Sequence, residues 1–524
     1  MISAQSFEWA KRHLVRFGGS DAFPPTQDYE ALAANWQEVK AHLVGLEFAS
    51  YVPKAPYLAF AEKSDGTYRA VHELDPIDTL IITAAIYELS DDIEAYRLPV
   101  DRQCVFSYRV CPDADGSFFS RDAQNWSTFS SRRDELLNEY KSGHVLIGDI
   151  ADFYNQIYLH RIRNSLNEAS RNEREELCTF IEKFLEALNQ KISKGIPVGP
   201  AFSIILAELV LNDLDRKITG SGLRFVRWVD DIFVFSDSRQ DLKNLLHDLT
   251  AFLYGTHRLV FNGQKTRILS VTEFEEVLEG KEDAYVNAEF ERLKDARCKE
   301  IYKELIEELD PYDSSEIDSF EVYEEVIDRF EENEGFRTIC QAYRNILERA
   351  IEIRNYVLIR HVLRKCATLR IKAVEDVVYS HLEELRPNIR EVAHYVASTS
   401  RPAIVGKYSD NIRTFMINME NSHTRRWIAY ILSASAFTSM DLFEREYRLF
   451  DARDRAKISA ARGDVVRIKE FRNNLDVLGP WDRRGVILSL KALTRDERNP
   501  LLSVAEAKGD LVEKSLCKYV RGLA

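Results

Sequence analysis

The stretch 224–238, RFVRWVDDIFVFSDS, constrains the fold more than any other part of this chain. Two runs of β-branched and aromatic residues flank the adjacent acids Asp230 and Asp231, the pattern of two strands joined by a two-residue turn. Asp-Asp is an unusual pair for such a turn. A type I′ hairpin needs positive φ at both central positions, which Asn-Gly or Asp-Gly supplies, and two adjacent anions add repulsion. A cation seated on the turn would remove that repulsion. Carboxylates bound to Mg²⁺ no longer repel one another, and phosphoryl transfer commonly uses two such ions for the attacking and leaving oxygens. A third carboxylate is then expected from elsewhere. Asp149, at the end of the apolar run HVLIGDI, projects from a strand where the hairpin could face it.

Around this hairpin, helical and strand signals alternate as far as residue 272. Residues 78–89 are helical in period, 144–150 read as a buried strand, and 202–218 read as a helix after a Gly/Pro-rich approach. Beyond about residue 273 the strand signals vanish. Paired amphipathic segments such as CQAYRNILERAIEIRNYVLIRHVLRKCATL suggest a HEAT-like α-solenoid, with an irregular helical bundle as the alternative.

Charge is distributed as unevenly as secondary structure. The net charge is −14, yet residues 273–335 hold 24 acidic against 7 basic residues and residues 336–524 hold 34 basic against 23 acidic. An acidic total therefore does not exclude a nucleic-acid partner. The arginines of IEIRNYVLIRHVLRK and NSHTRRW are expected either to contact polynucleotide or to pair with the acidic stretch or a neighbouring subunit. The seven cysteines form neither a C-x-x-C pair nor a zinc-spaced cluster, which fits reduced thiols in a cytoplasm. The first residues lack the apolar core of a signal peptide, and the longest apolar run is too short to span a bilayer. The expectation is a soluble cytoplasmic chain with no membrane partner.

Several segments, taken in order, carry a family resemblance. DIADFY resembles motif A of reverse transcriptases, GIPVGPAFSIILAE motif B, FVRWVDD motif C and LVFNGQKTRIL motif D, while EKSDGTYRAV, DTLIITAAIYELSDDIE and VFSYRV are similar to fingers motifs. The set covers roughly residues 54–270. The SYR triplet, the lack of a recognisable thumb and the long helical C-terminal region narrow the resemblance to abortive-infection and other defence-associated bacterial reverse transcriptases. It implies an α+β fingers and palm domain over residues 1–272, followed by an all-α HEAT-like repeat domain over residues 273–524.

The resemblance also implies roles. Asp149, Asp230 and Asp231 match the catalytic, metal-binding acids, with Ile150 completing the metal set and two Mg²⁺ ions, or Mn²⁺, as cofactor. Lys265 matches the motif D lysine near the leaving pyrophosphate. Tyr154 matches the residue beneath the nucleotide sugar that excludes a 2′-hydroxyl, its other reading being a core aromatic. Arg69 and Lys63 match fingers cations for the triphosphate, Arg109 either serves that site or packs the fingers, and Gly199 and Pro200 admit a close backbone approach to the nucleotide or primer-template. Asp152 reads instead as a helix N-cap. Two departures are Val198 where many members carry Gln, and Trp228 where motif C usually has Tyr.

The expected activity is polymerisation of dNTPs in antiphage defence, protein-primed and template-independent, by a homo-oligomer that makes single-stranded DNA attached to itself. Tyr51 and Tyr57, flanking VPKAP, are the priming candidates. The alternatives are a reverse transcriptase copying an associated non-coding RNA, and a non-catalytic scaffold on a relic palm.

Overall fold

The computed structural model of the chain describes residues 2–120, 125–279, 289, 291–301, 335–419 and 421–523. Most of the acidic stretch 273–335 lies outside the described residues. The chain divides into two compact units. The first comprises residues 1–60, 70–276 and 472–524, and the second residues 61–69 and 277–471.

The first unit is built on a four-stranded antiparallel sheet of order β4-β5-β3-β6, with β3 at His144–Gly148, β4 at Arg224–Trp228, β5 at Asp231–Ser236 and β6 at Arg267–Ser270. Register is fixed by pairings such as His144 with Ser236 and Gly148 with Ile232 on one side of β3, and His144 with Ser270 on the other. Helix Arg239–Phe252 packs on the sheet, and helix Ala201–Gly220 packs in turn on that helix. Helix Ala201–Gly220 buries residues around its whole circumference, as a helix enclosed by protein must. Helix Pro76–Glu88 is also almost wholly buried. Its start is set by Pro76 in the first turn and by the Asp75 carboxylate, which accepts the Ile77 N–H.

A division at residue 272 assigns the whole C-terminal region to the helical unit, whereas residues 472–524 group with the first. Helix Leu511–Gly522 packs on helix Asp28–Ala34 and on helix Pro480–Ser489. The buried Arg484 donates from Nη2 to Asp75 at 2.6 Å and Asp510 at 3.1 Å, and Lys54 bridges the same two acids. Helical periodicity is the same on either side of residue 472, so the destination shows only in these long-range contacts, the packing of helix Leu511–Gly522 and the ion pairs of Arg484 and Lys54.

In the second unit, helices Gly335–Glu352, Tyr356–Leu369, Ile389–Thr399, Ser422–Leu432 and Ala452–Ala461 pack successively, each on the next, around one apolar core. Arginines expected to be available for partners are used inside this unit. Arg426 is buried and paired with Asp454, Arg425 donates twice to the Met419 carbonyl, and Arg360 and Arg364 share Glu391. Among the described residues, no helix is long and apolar enough to cross a membrane.

Candidate active site

The acids converge because of strand register. Residue numbers in the β3/β5 pairing sum to a constant, so continuing one step past Gly148 and Ile232 sets Asp149 opposite Asp231. The β3/β6 pairing ends at Ile147 and Arg267, and a turn between it and the bridge of Ile150 to Phe261 carries Lys265 beside Asp149. Asp149 is therefore flanked by Asp231 on one side and Lys265 on the other. The Lys265 ammonium donates to Asp149 Oδ2 at 3.1 Å. Its burial favours the neutral amine, but Asp149, Asp230 and Asp231 together outweigh that and push its pKa up.

Lys265 is presented by a turn that Asn262 builds. The Asn262 side-chain oxygen accepts the Gln264 N–H, its carbonyl accepts the N–H groups of Lys265 and Thr266, and its own N–H donates to the Asp149 carbonyl at 2.8 Å. The Asp149 N–H donates to Thr266 Oγ1 at 3.3 Å. The segment NGQKT thus fixes both the lysine and the backbone of Asp149, as Asn-led turns can.

The hairpin differs in one detail from the expected Asp-Asp turn. Trp228 pairs with Asp231, so the two-residue loop is Val229-Asp230 and Asp231 opens β5. Val229 takes φ +53°, a left-handed conformation costly for a β-branched residue. Both its backbone groups are tied down. The Val229 N–H donates to Ser107 Oγ at 2.9 Å, and its carbonyl accepts from Arg227 Nη1 at 2.8 Å. Strained backbone held in this way clusters at functional sites.

The restraint rests on a buried ionic network that the sequence motifs do not display. Arg227, with 0% exposure, pairs with Asp215 through Nε and Nη2 at 2.7 Å each and with Glu208 at 3.2 and 3.0 Å. Glu208 also accepts from Arg97 at 2.7 Å and from the Ser107 hydroxyl at 2.6 Å. Burial disfavours the charged guanidinium, but the two carboxylates outweigh it and hold Arg227 firmly protonated. The signal in the sequence is a lone Glu inside the apolar helix segment SIILAELVL and an Arg set between Val226 and Trp228 in the strand RFVRW.

The remaining expected residues fall in varied settings. Tyr154 lies on the short helix Phe153–Gln156, its carbonyl accepting the Ile196 N–H. Asp152 precedes that helix with φ +49°, but its carboxylate accepts from the Asn155 and Gln156 side chains and makes no backbone cap. Ile150 is buried and bridges to Phe261. Arg109 is buried, ion-paired to Glu94 and bonded to the Leu98 carbonyl, which is a packing role. Lys63 and Arg69 lie at the outer end of the hairpin of β1 (Tyr57–Glu62) and β2 (Tyr68–Glu73), within the second unit.

Gly199 has φ +120°, and a Cβ there would come within 2.1 Å of Ser20 Oγ, so the N-terminal loop explains its need to lack a side chain. Pro200 stands at the N-cap of helix Ala201–Gly220. Trp228 packs among Tyr108, Trp126 and Phe129 at ring separations of 5.3–5.8 Å. Neither priming candidate sits on a loose loop. The Tyr51 hydroxyl donates to Asp78 at 2.6 Å and its ring stacks on Phe184, while Tyr57 opens β1 between the rings of Phe23 and Trp481.

The donor set suits a hard divalent cation, since all three acids offer carboxylate oxygens. As the side chains stand, Lys265 supplies positive charge, and among the described residues no group of three His, Cys, Asp or Glu is gathered closely enough to hold a metal.

Residues 62–298 match the family "Reverse transcriptase (RNA-dependent DNA polymerase)", so the chain carries a reverse-transcriptase domain of mixed α/β content. No curated protein matches the chain. Among solved structures it is similar to telomerase from Candida albicans in complex with the TWJ fragment of telomeric RNA, at 12% identity and a TM-score of 0.30 over 71% of this chain and 64% of that one. It is also similar to apo telomerase from Candida Tropicalis, at 11% identity and a TM-score of 0.31 over 77% and 72% of the two chains. This chain thus spans just under two thirds of the Candida albicans protein.

Proposed function

We propose that this protein is a metal-dependent DNA polymerase that adds deoxynucleotides to a hydroxyl. One observation carries the reading: Asp149, Asp231 and Lys265 meet at the ends of three adjacent strands, with Asp230 on the turn beside them. Asp149, Asp230 and Asp231 would hold Mg²⁺, or Mn²⁺, which would neutralise charge on the attacking and leaving oxygens. The attacking hydroxyl oxygen bonds to the α-phosphorus as the bond to pyrophosphate breaks. Lys265 is suited to meet that leaving group, and Tyr154 to sit beneath the sugar.

The resemblance of its motifs to abortive-infection polymerases supports a finer reading: antiphage defence by a cytoplasmic homo-oligomer that primes synthesis on one of its own tyrosines without a template. The helical unit then serves as a HEAT-like surface for the product. The rival is RNA-templated synthesis on a non-coding RNA. Purified protein is to be incubated with Mg²⁺ and each dNTP, with and without RNA, and the products resolved on a denaturing gel. Incorporation is expected in wild type and absent in Asp149→Ala and Asp230→Ala proteins of unchanged circular dichroism. Wild-type rates in either variant would remove the assignment. Strict dependence on RNA would select the templated rival, and DNA that migrates free of protein, with no nucleotidyl-tyrosine peptide by mass spectrometry, would end protein priming.

A further inference from the structure

A cavity of about 210 Å³ lies at the end of β4 remote from the acids. Its walls include Arg102, Cys104, Arg132, Thr219, Arg224 and Phe225. These come from four separate segments: the single turn Val100–Arg102 with the residues that follow it, helix Trp126–Glu139, the C-terminal end of helix Ala201–Gly220, and the start of β4.

Three guanidiniums converge there. Among the described residues, the side chains of Arg102 and Arg224 make no hydrogen bond and no ion pair. Arg132 pairs with Glu135 at 2.6 Å through Nη1, but its Nε is buried without a partner. Burial and the charge of Asp215 push the Cys104 thiol up, while Arg132, Arg224 and Arg102 pull it down, so all three cations act on one sulfur. The wall between them is fixed. Gln103 takes φ +50°, and the Cys104 carbonyl accepts the Arg227 N–H at 2.8 Å, tying the segment to the edge strand.

Gathering like charges around a concavity costs free energy that an anion would recover. Guanidinium forks match phosphate oxygens, and a tetrahedral anion can accept from more than one at once. The volume lies below the roughly 300–1,000 Å³ of pockets that enclose whole drug-sized ligands, so the cavity takes a group and not an entire nucleotide. We propose that it binds a phosphate group of a nucleic-acid strand. Arg224 and Trp228 are separated by the length of β4, about 13 Å at the rise of an extended strand. A polynucleotide whose end lies at the acids can therefore reach this cavity within a few nucleotides. The phosphate assignment stands on the cavity itself, and its connection to the strand being extended rests on the polymerase reading above.

Cys104 lines the cavity and Cys111, exposed outside it, is an internal control. The full-length protein is to be labelled with a small maleimide, and the Cys104 to Cys111 ratio read by mass spectrometry. Three additions are compared: single-stranded DNA, inorganic phosphate and polyglutamate at matched charge. DNA is expected to slow Cys104 labelling several-fold, salt to reverse this, and the double variant Arg102→Gln/Arg224→Gln to lose the protection. Equal protection by inorganic phosphate would keep the phosphate site but overturn the strand. Equal protection by polyglutamate would reassign the cavity to an acidic peptide, and absence of protection by any of the three would overturn the proposal. Labelling needs no turnover, so the Asp230→Ala protein gives the same footprint whether or not the polymerase reading holds.

Discussion

Arg227 reaches past its own strand end to hold the carbonyl of Val229, the residue immediately before Asp230, at 2.8 Å. A buried guanidinium thus sets the backbone of the turn that carries a candidate catalytic acid.

The first prediction concerns that link. Arg227→Ala leaves Glu208 and Asp215 buried without their main cation, and breaking a buried pair in this way costs about 3–5 kcal/mol. The variant should unfold at markedly lower denaturant concentration than wild type. Arg227→Lys keeps the charge but cannot reach Asp215, Glu208 and the Val229 carbonyl together. It should retain more stability yet lose polymerisation as the turn loosens. Parallel urea titrations and dNTP incorporation assays check both outcomes, and an Arg227→Lys protein with full activity would break the connection to the turn.

The second prediction separates two explanations of Gly199. If the glycine serves only an approaching ligand, Gly199→Ala should fold normally and bind nucleotide poorly. The φ of +120° and the contact with Ser20 instead predict lost stability, about 1–3 kcal/mol. Ser20→Gly in the same chain should return the part due to the clash and leave the part due to backbone strain. Melting temperatures of the two single variants and the double variant decide the matter.

Local pattern carried much of the site but little of its support. Asp149 was legible because an apolar run ends on it, and Lys265 because Asn262-Gly263 marks a turn before it. The Asn262 turn then holds the lysine against the acid. The cluster of Arg227, Glu208, Asp215 and Arg97 was not legible as a cluster, because its members lie on three separate segments, with Glu208 and Asp215 on one helix, and the arginines reach them only through packing. The destination of residues 472–524 was hidden for the same reason: Arg484 finds Asp75 across 409 positions. Amphipathic periodicity says that a helix has a partner, not which one.

A third prediction follows from Asp78. Burial, offset by the Tyr51 hydroxyl and raised further by Asp75, lifts its carboxyl to about 7 from an ordinary 3.8. The folded chain therefore holds a proton that the unfolded chain releases between about pH 4 and 7, so this group's contribution to stability declines as pH rises across that window and is flat above it. Asp78→Asn removes the titration. The stability of wild type relative to Asp78→Asn should fall from pH 4.5 to 7.5 by up to a few kcal/mol. A constant difference across that range would refute the buried, protonated carboxyl. Tyr51→Phe removes the hydroxyl that bonds Asp78, and should lower stability by about 1–3 kcal/mol while leaving nucleotide incorporation intact. Loss of incorporation at unchanged stability would instead return Tyr51 to the priming role.

The last prediction addresses sugar selection. Tyr154 lies five residues beyond Asp149, on the short helix that follows the acid, and its backbone is pinned by the Ile196 N–H at 3.0 Å. The aromatic side chain therefore projects from a fixed point near the strand end where the acids meet. A ring held beneath C2′ rejects a ribonucleotide by steric exclusion, so the discrimination should depend on side-chain size and not on the phenolic hydroxyl. Tyr154→Phe should select dNTPs as wild type does. Tyr154→Ala should admit NTPs with a gain of about tenfold or more in relative kcat/KM, the order that one filled or emptied contact can produce. The expected loss in dNTP turnover is smaller, because the acids and Lys265 remain in place. Single-nucleotide incorporation assays with paired dNTP and NTP substrates measure the ratio directly. Wild-type protein that uses both sugars equally, or an Ala variant whose ratio stays at the wild-type value, would show that Tyr154 is a packing residue of the palm.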